Sequence, residues 1–569
     1  MATVETPSGV NGNGNGAMPK KLHGRAFYES IGSPKYIVAP MVDQSEFAWR
    51  MLSRSFLPES QRSTVLAYSP MLHSRLFAEN QKYRDQHFQP TRQPFGAPDT
   101  DPSAIHTPFL DGNPSIDRPL FVQFASHEPN YLLAAAKIVA PYCDAVDLNL
   151  GCPQGIAKKG HYGAFLQEDQ ELIFNLINIL HKNLEIPVTA KIRILDTKEA
   201  TLAYAENVLS AGASILTVHG RRREQKGHVT GLADWKMIRY LRDNLPPETV
   251  IFANGNILEQ GDIDKCLTAT GADGVMSAEG NLSNPGIFAV PPPIGEEGRE
   301  YWRGKDGKGG WRVDAVFRRY LDIMHQHVLE KEAPARKPLF LPGDDIGWMN
   351  SPIEGLELSE PQPKKRQMAD DGGPPSKKHK SAGQDPAMAK KAEAVPRTTN
   401  FTGMQGHLFH LLRHFVTRHH DVRDALAKLR MGELDRYEAI LEMVERKVAE
   451  GLLEYEKTDG KSVEENVAAV PEVEEDGHDD EESSARTVRE VKRPWWVVQP
   501  IVRPLPKEAM AKGAIQPRKV KGGGGQDRKA ATATKTSSPC AAGAPPPLEA
   551  AVERLEKTTS FEKSELVSG

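Results

Sequence analysis

Residues 147–166, DLNLGCPQGIAKKGHYGAFL, put one cysteine, Cys152, at the end of an apolar run and follow it with glycines, lysines and a second apolar stretch. A thiol of ordinary pKa, about 8.5, stays largely protonated at neutral pH, so at the lip of a buried strand it can donate a proton to an electron-rich ligand. It could also be a nucleophile, or a small buried hydrophobe. Gly151 and Pro153 on either side fix a tight turn, which argues against simple core filling.

Other chemically capable residues recur at the ends of apolar runs: Asp43 and Gln44, His73, Gln123, Asn149, Lys191 and Arg193, His219, Asn254 and Asn256, then Glu279. Lys191 and His219 end successive runs, and cations there would stabilise negative charge developing on a planar ligand. Their bland alternatives are an ion pair of Lys191 with Asp147 and a hydrogen-bonded core histidine. Gly255 between two asparagines, and the SAEGN segment holding Ala278 and Glu279, suit a phosphate bound by backbone amides, or merely a turn.

Elements that could bring these ends together are legible in the spacing. Between Tyr36 and about Leu282, eight β-branched runs alternate with longer amphipathic stretches: YIVAP, TVLAYSP, LFVQFAS, AVDLNLG, PVTAKIRI, SILTVHG, TVIFANGN and GVMSAEG. Eight such units over roughly 250 residues predict a closed (β/α)8 TIM barrel, whose strand ends converge on one face. The predicted organisation is a disordered N-terminus over 1–30 and a catalytic barrel over 31–295. A helical domain follows over 296–332 and 397–455, interrupted by a disordered basic insertion over 333–396. An acidic linker (456–490), an ordered segment containing QPIVRPLP (491–506) and a disordered tail (507–569) complete the chain.

Composition excludes several classes. Of 569 residues, 39% are hydrophobic and 26% charged, enough for a large core. The four cysteines, Cys143, Cys152, Cys266 and Cys540, form no CxxC pair, so neither a zinc site nor a disulfide framework is expected. The first twenty residues lack the apolar core of a secretory signal, and no run approaches the roughly 20 apolar residues of a membrane span. The net charge of −4 conceals ten carboxylates in residues 464–482, outside which the chain sums to +6. Cations cluster at Lys158 and Lys159, at residues 221–223, and along a helix with Arg413, Arg418, Arg423, Lys428 and Arg430, a pattern that permits nucleic-acid binding. The histidines of that helix (His407, His410, His414, His419, His420) lack partnering ligands for a metal, so solvated or RNA-facing positions are expected. Residues 364–380 separate two basic clusters and read as a nuclear import signal or a solvated linker. Nucleus, cytoplasm or both are thus expected.

Taken in order, APMVD (39–43), VQFAS (122–126), DLNLGCPQ (147–154), KIR (191–193), TVHGR (217–221), NGNI (254–257) and AEGNLSNPGIF (278–288) resemble the tRNA-dihydrouridine synthases. The GHLFHLLRHF and QPIVRPLP segments resemble the eukaryotic subgroup acting on positions 16 and 17 of the tRNA D-loop. The resemblance implies a monomeric FMN barrel reduced by NADPH, with tRNA as partner and no metal. It implies that Pro40, Met41 and Val42 line the flavin ring, that Gln123 bonds it, and that Lys191 with His219 holds its N1 and O2 side and ribityl chain. Asn254, Gly255, Asn256, Ala278 and Glu279 would take the phosphate. Many members carry Gly-Arg where this chain has Ala278-Glu279, so phosphate binding here would rest on backbone amides.

The implied reaction delivers hydride from the reduced flavin to C6 of uracil and a proton from Cys152 to C5. Asn149 would bond the uracil edge, Arg193 a carbonyl oxygen, and Lys158 and Lys159 phosphates around an everted uridine. Two rivals share parts of this pattern: a small-molecule pyrimidine or dihydroorotate oxidoreductase, and a non-catalytic RNA-binding protein on an inherited barrel.

Overall fold

The computed structural model describes residues 21–92, 107–353, 397–464 and 491–502. Eight parallel strands run in chain order: β1 (Tyr36–Val38), β2 (Val65–Tyr68), β3 (Leu120–Ala125), β4 (Ala145–Leu150), β5 (Val188–Arg193), β6 (Ile215–His219), β7 (Val250–Asn254) and β8 (Gly274–Ser277). Each pairs with the next, and β1 also pairs with β8, which closes the (β/α)8 barrel. These are the eight runs read from the sequence. A two-residue strand, Leu72–His73, adds beside the end of β3.

Strand register decides which residues meet. Gln123 lies opposite Asp147 and Asp147 opposite Thr189; one step along, Asn149 faces Lys191 and Lys191 faces Thr217. At the rim, Arg193, His219 and Asn254 form a third row. All share one parity along their strands, so the period-two alternation sends them to a common face while Val146, Leu148, Leu150 and Ile192 take the other. The helices cover that second face. Helix Gln170–Asn183, for instance, buries Ile173, Leu176, Ile177 and Leu180 at i, i+3, i+4 and i+7, each burial contributing roughly 2 kcal/mol. Asp169 caps it by accepting from the Leu172 amide, which adds about 1 kcal/mol.

Behind the first strands lies a buried ion cluster. Asp117 accepts from Arg50 at 2.5 Å and Arg54 at 2.7 Å, and Arg50 also donates to Asp111 at 2.8 Å. Arg54 additionally ties down the carbonyls of Val65 and Pro119, so the cluster joins helix Phe47–Ser55 to the starts of β2 and β3.

The segments flanking the barrel differ from the sequence reading in four places. Residues 296–332 begin with an antiparallel hairpin, Tyr301–Arg303 against Gly309–Trp311, before helix Val313–Ile323; the GKDGKGG turn joins its strands. Residues 24–30 form helix Gly24–Ser30 with Phe27 and Tyr28 buried, so apolar burial orders the end of the expected disordered N-terminus. Residues 333–353, expected within the disordered insertion, pack through buried Leu339 and Phe340, and Arg336 bridges Asp322 and Glu438 at 2.5 and 2.8 Å. Helix Leu434–Lys457 runs past the expected boundary at 455 and is followed by helix Lys461–Glu464. The remaining insertion with its basic clusters, most of the acidic linker, the first twenty residues and the tail lie outside the described residues.

Residues 491–502 lie across the hairpin and the long helix. Val498 donates to the Trp311 carbonyl at 2.9 Å, and Trp495 and Trp496 press so closely on Gly451 that a Cβ there would meet Trp495 at 2.6 Å. No described helix is long and apolar enough to cross a membrane.

Candidate active site

At the C-terminal end of β4 the chain turns sharply at Gly151 and Cys152. Asn149 shapes that turn: its Oδ1 accepts from the amides of Gly151 at 3.1 Å and Cys152 at 2.9 Å. Its Nδ2 donates to Gln123 Oε1 at 2.7 Å, Gln123 Nε2 donates to Asp147 at 2.8 Å, and Thr189 donates to Asp147 at 2.6 Å. Two residues assigned to ligands by resemblance, Gln123 and Asn149, therefore spend much of their hydrogen bonding on each other and on the thiol loop. Burial raises the Asp147 carboxyl to about 6, the bonds from Thr189 and Gln123 pulling the other way. Sequence reading named Asp147 only as a partner for Lys191; its links to Thr189 and Gln123 depend on register between strands.

The thiol loop is braced from outside. Arg193 Nε donates to the Gly151 carbonyl at 2.6 Å and its Nη1 to the Arg222 carbonyl at 3.2 Å; Lys226 donates to the Pro153 carbonyl at 2.7 Å. Gly163 has φ +64 and lies against Cys152, where a Cβ would meet the Cys152 carbonyl oxygen at 2.7 Å, so the bare backbone is required. Ala125, Ala157 and Tyr162, with Met71 and Phe165 around them, give Cys152 an apolar neighbourhood. Burial raises its thiol pKa above the ordinary value, against the Gln154 amide, Arg193, Lys191 and Lys226, which pull it down. The thiol is thus held protonated, as a proton donor requires.

On the neighbouring strand, in register with Asn149, Lys191 is 5% exposed and its ammonium makes no hydrogen bond or ion pair to any described residue. The ion pair with Asp147 considered from sequence does not form. Burial, then Arg193, lowers the ammonium to about 7, with Asp147 and Cys152 opposing. His219 is pushed well below its ordinary value by burial, then by Arg193, Lys191 and Arg221, so its imidazole is neutral and does not supply the positive charge expected of it. Its Nδ1 and the Oδ1 of Asn254 are both buried without a partner. A buried lysine lacking a counterion beside two unsatisfied polar atoms is a costly arrangement unless a ligand completes it.

Gly255 (φ +111) and Asn256 (φ +62) carry the chain away from β7 in the left-handed region. A Cβ on Gly255 would meet Ala233 at 2.6 Å and His219 at 3.1 Å. The side chain of Asn256 is already committed, accepting from Arg221 at 2.6 Å and the Ala233 amide at 3.1 Å, so backbone is what this residue can offer. Arg221, which also reaches His219 Nε2 at 3.2 Å, joins the site although sequence reading placed it only in a basic cluster; the TVHGR motif ending in it was the available signal. Ala278 is buried, and Glu279, half-buried, opens the short helix Glu279–Ser283. Met41 is buried at the end of β1, with Pro40 and Val42 partly exposed. Lys158 and Lys159 are exposed on helix Gly155–Gly160, immediately after the thiol loop.

Residues 37–304 match the dihydrouridine synthase family. The chain is 39% identical over 487 residues to the tRNA-dihydrouridine(16/17) synthase of Schizosaccharomyces pombe, an alignment covering 85% of this chain and 92% of that protein. The chain belongs to the dihydrouridine synthase family. It is also 55% identical over 312 residues to the tRNA-dihydrouridine(16/17) synthase of Saccharomyces cerevisiae, covering 55% of this chain and 65% of that one. A mouse protein named tRNA-dihydrouridine(16/17) synthase-like is 42% identical over 313 residues, covering 54% of this chain and 55% of its own. Against these last two, the chain spans less than two thirds of the relative's length. The family match covers the barrel and runs through the end of β8 into the hairpin, so the thiol loop, Lys191 and His219 all stand inside the dihydrouridine synthase region.

Proposed function

We propose that this protein reduces the C5–C6 bond of uridine to dihydrouridine in the D-loop of tRNA, at position 16 or 17, using FMN reduced by NADPH. The observation that carries the reading is a buried thiol, Cys152, just beyond the end of β4, next to a buried Lys191 on β5 that has no ion-pair or hydrogen-bond partner among the described residues. The unsatisfied His219 Nδ1 and Asn254 Oδ1 fit a flavin with polar ring edges and a ribityl chain. Bound FMN supplies hydride to C6 of the uracil.

The chain's own residues do the rest. Cys152 donates its Sγ proton to C5. Asn149 and Arg193 hold the thiol loop in place, and would also meet the uracil edge and its carbonyl oxygen. Pro40, Met41 and Val42 would line the flavin, and Gln123 would bond its ring. Lys191 binds the N1 and O2 side as a cation, with His219 as a neutral partner. Asn254, Gly255, Asn256, Ala278 and Glu279 would hold the phosphate, chiefly through backbone amides because a carboxylate beside a phosphate is unfavourable. Lys158 and Lys159 grip tRNA phosphates beside the everted uridine.

The decisive experiment is incubation of the purified protein with FMN, NADPH and unmodified tRNA, with dihydrouridine mapped by mass spectrometry. Reduction at 16 or 17 supports the reading. Reduction of free uracil with none in tRNA favours the small-molecule rival, and no flavin chemistry at all favours the RNA-binding one.

Two further outcomes follow from the geometry. Because burial lowers the Lys191 ammonium to about 7 in the free protein, a hydrogen-bond-accepting edge at its Nζ would favour the protonated form on binding. FMN affinity should be flat below about pH 7 and fall as pH rises above it, with proton uptake visible by calorimetry in buffers of different ionisation enthalpy; Lys191→Met should abolish the uptake. Replacing Lys158 and Lys159 together by Ala should raise the KM for tRNA several-fold. It should also flatten the salt dependence of tRNA binding by roughly 1.4 to 1.8 in log–log slope, the contribution of two phosphates. An unchanged slope would remove these lysines from the RNA contact.

A further inference from the structure

The loop after β1, residues 39–46, carries the APMVD motif and adopts a constrained shape. Asp43 sits at φ +54, a conformation uncommon for a residue with a side chain, and persisting only where the surroundings over-determine it. Internal bonds account for part of the constraint: the Met41 amide donates to Ser45 Oγ at 3.0 Å, and the Gln44 amide to the Met41 carbonyl at 3.1 Å.

The remainder comes from one face of helix Thr399–Leu411, through positions 400, 403, 407 and 410, the spacing of a single helical stripe. Asn400 Oδ1 accepts from the Ala48 amide at 3.0 Å, capping helix Phe47–Ser55, which has no side-chain cap of its own. Gly403 approaches so closely that a Cβ would meet the Asp43 carbonyl at 3.1 Å and His407 Nε2 at 3.2 Å. His407 Nε2 reaches both carboxylate oxygens of Glu46, at 2.9 and 3.0 Å, with both side chains fully buried. Its ring stacks on Trp49 at 4.1 Å and meets the edge of Tyr320 at 5.7 Å. His410 Nε2 lies 3.2 Å from Gln44 Nε2. The expectation of solvated or RNA-facing histidines is therefore wrong for His407: an apolar helix face takes it in with Glu46 partnering its Nε2, while its Nδ1 is buried without a partner among the described residues.

We propose that helix Thr399–Leu411 is a clamp that sets the conformation of the 39–46 loop, with Glu46 and His407 as its positioning residues. The helical region then contributes to cofactor binding at the barrel mouth and not solely to holding RNA. The loop clamp stands on geometry alone; its effect on cofactor rests on the flavin reading above. Removing residues 397–455 wholesale would strip a buried face from the barrel, so point variants of the full chain are the informative test.

Gly403→Ala, His407→Ala and His407→Gln are compared with the wild type by amide hydrogen exchange over residues 41–48 and by FMN dissociation constant, read from flavin fluorescence. Gly403→Ala replaces a poor helix former by the best one, so the helix itself is not weakened while the added methyl presses on the loop. In His407→Ala, exchange over 41–48 should be at least about tenfold faster and FMN about tenfold weaker, with Gly403→Ala intermediate. His407→Gln, whose amide can still donate to Glu46, should return to within about threefold of wild type. Should His407→Ala fail to fold, Gly403→Ala decides. Unchanged exchange and unchanged FMN affinity in the folded variants overturn the clamp. If exchange responds but FMN affinity does not, the link to the cofactor is overturned. If even the wild type takes no FMN, the flavin reading fails, and exchange alone judges the clamp.

Discussion

Cys152→Ala should retain bound FMN and tRNA affinity while its rate of uridine reduction falls by about 10²- to 10⁴-fold, the range a positioned general acid contributes. The separation of the two effects is the point of the variant. The residues expected to hold the flavin lie on β3, β5, β6 and β7 and in the loops after β1, β7 and β8, and none has a hydrogen bond to the thiol. The loop itself is fixed through main-chain atoms of Gly151, Cys152 and Pro153, which an alanine leaves in place. Cys152→Ser should lie between the two, because a hydroxyl keeps the geometry but is a weaker acid. Burial also sets the pH behaviour: the thiol pKa is raised, so proton donation persists through neutral pH and is lost only as pH climbs through that raised value. Activity of Cys152→Ala within tenfold of wild type, measured by single-turnover reduction of tRNA, would remove the thiol from the chemistry.

The largest loss of stability is expected from Asp117→Ala. Its carboxylate is fully buried and shared by Arg50 and Arg54, themselves at most 1% exposed, so the variant leaves two guanidinium groups in the interior with one remaining carboxylate, Asp111, between them. Removing one partner from a buried ionic cluster typically costs about 3–5 kcal/mol, against a total stability of roughly 5–15 kcal/mol. For a cooperative unit of about 270 residues, the size of the barrel, that is a fall in Tm of roughly 5–9 °C, or failure to accumulate. Burial pushes the Asp117 carboxyl up, but Arg50, Arg54 and the Gly112 amide pull it further down, leaving it below the usual carboxylate range. The sign follows: its contribution is fully present at neutral pH and disappears as pH falls through that depressed value. A melting temperature within 3 °C of wild type by calorimetry would contradict the role assigned to this cluster.

The barrel and the rim residues were legible because both depend on short-range pattern. A strand buried on both faces is a compact apolar run, and its last polar residue marks the catalytic rim, which is how Asn149, Lys191, His219 and Asn254 could be chosen without coordinates. What stayed hidden depends on register or on distance along the chain. The Gln123–Asp147–Thr189 row exists only once three strands are aligned, so Gln123 and Asn149 looked freer than they are. The neutral state of His219 arises first from burial and then from Arg193 and Lys191 on the neighbouring strand, which no local window displays, with only Arg221 close by in sequence. Helix Gly24–Ser30 was missed because the neighbouring NGNGNG stretch dominates its composition, while its two aromatic residues find their partners in Phe121 and Phe252.

The contact between Glu46 and His407 spans 361 residues of sequence. A ribosome adding roughly 5–20 residues per second needs about 20–70 seconds to cover that distance. Through that interval the part already made lacks helix Thr399–Leu411, the element that stacks on Trp49, pairs with Glu46 and caps helix Phe47–Ser55. The nascent chain therefore passes through a long-lived stage with a sticky patch beside its future cofactor loop, a stage at which assistance from chaperones would matter most and premature truncation would be most damaging.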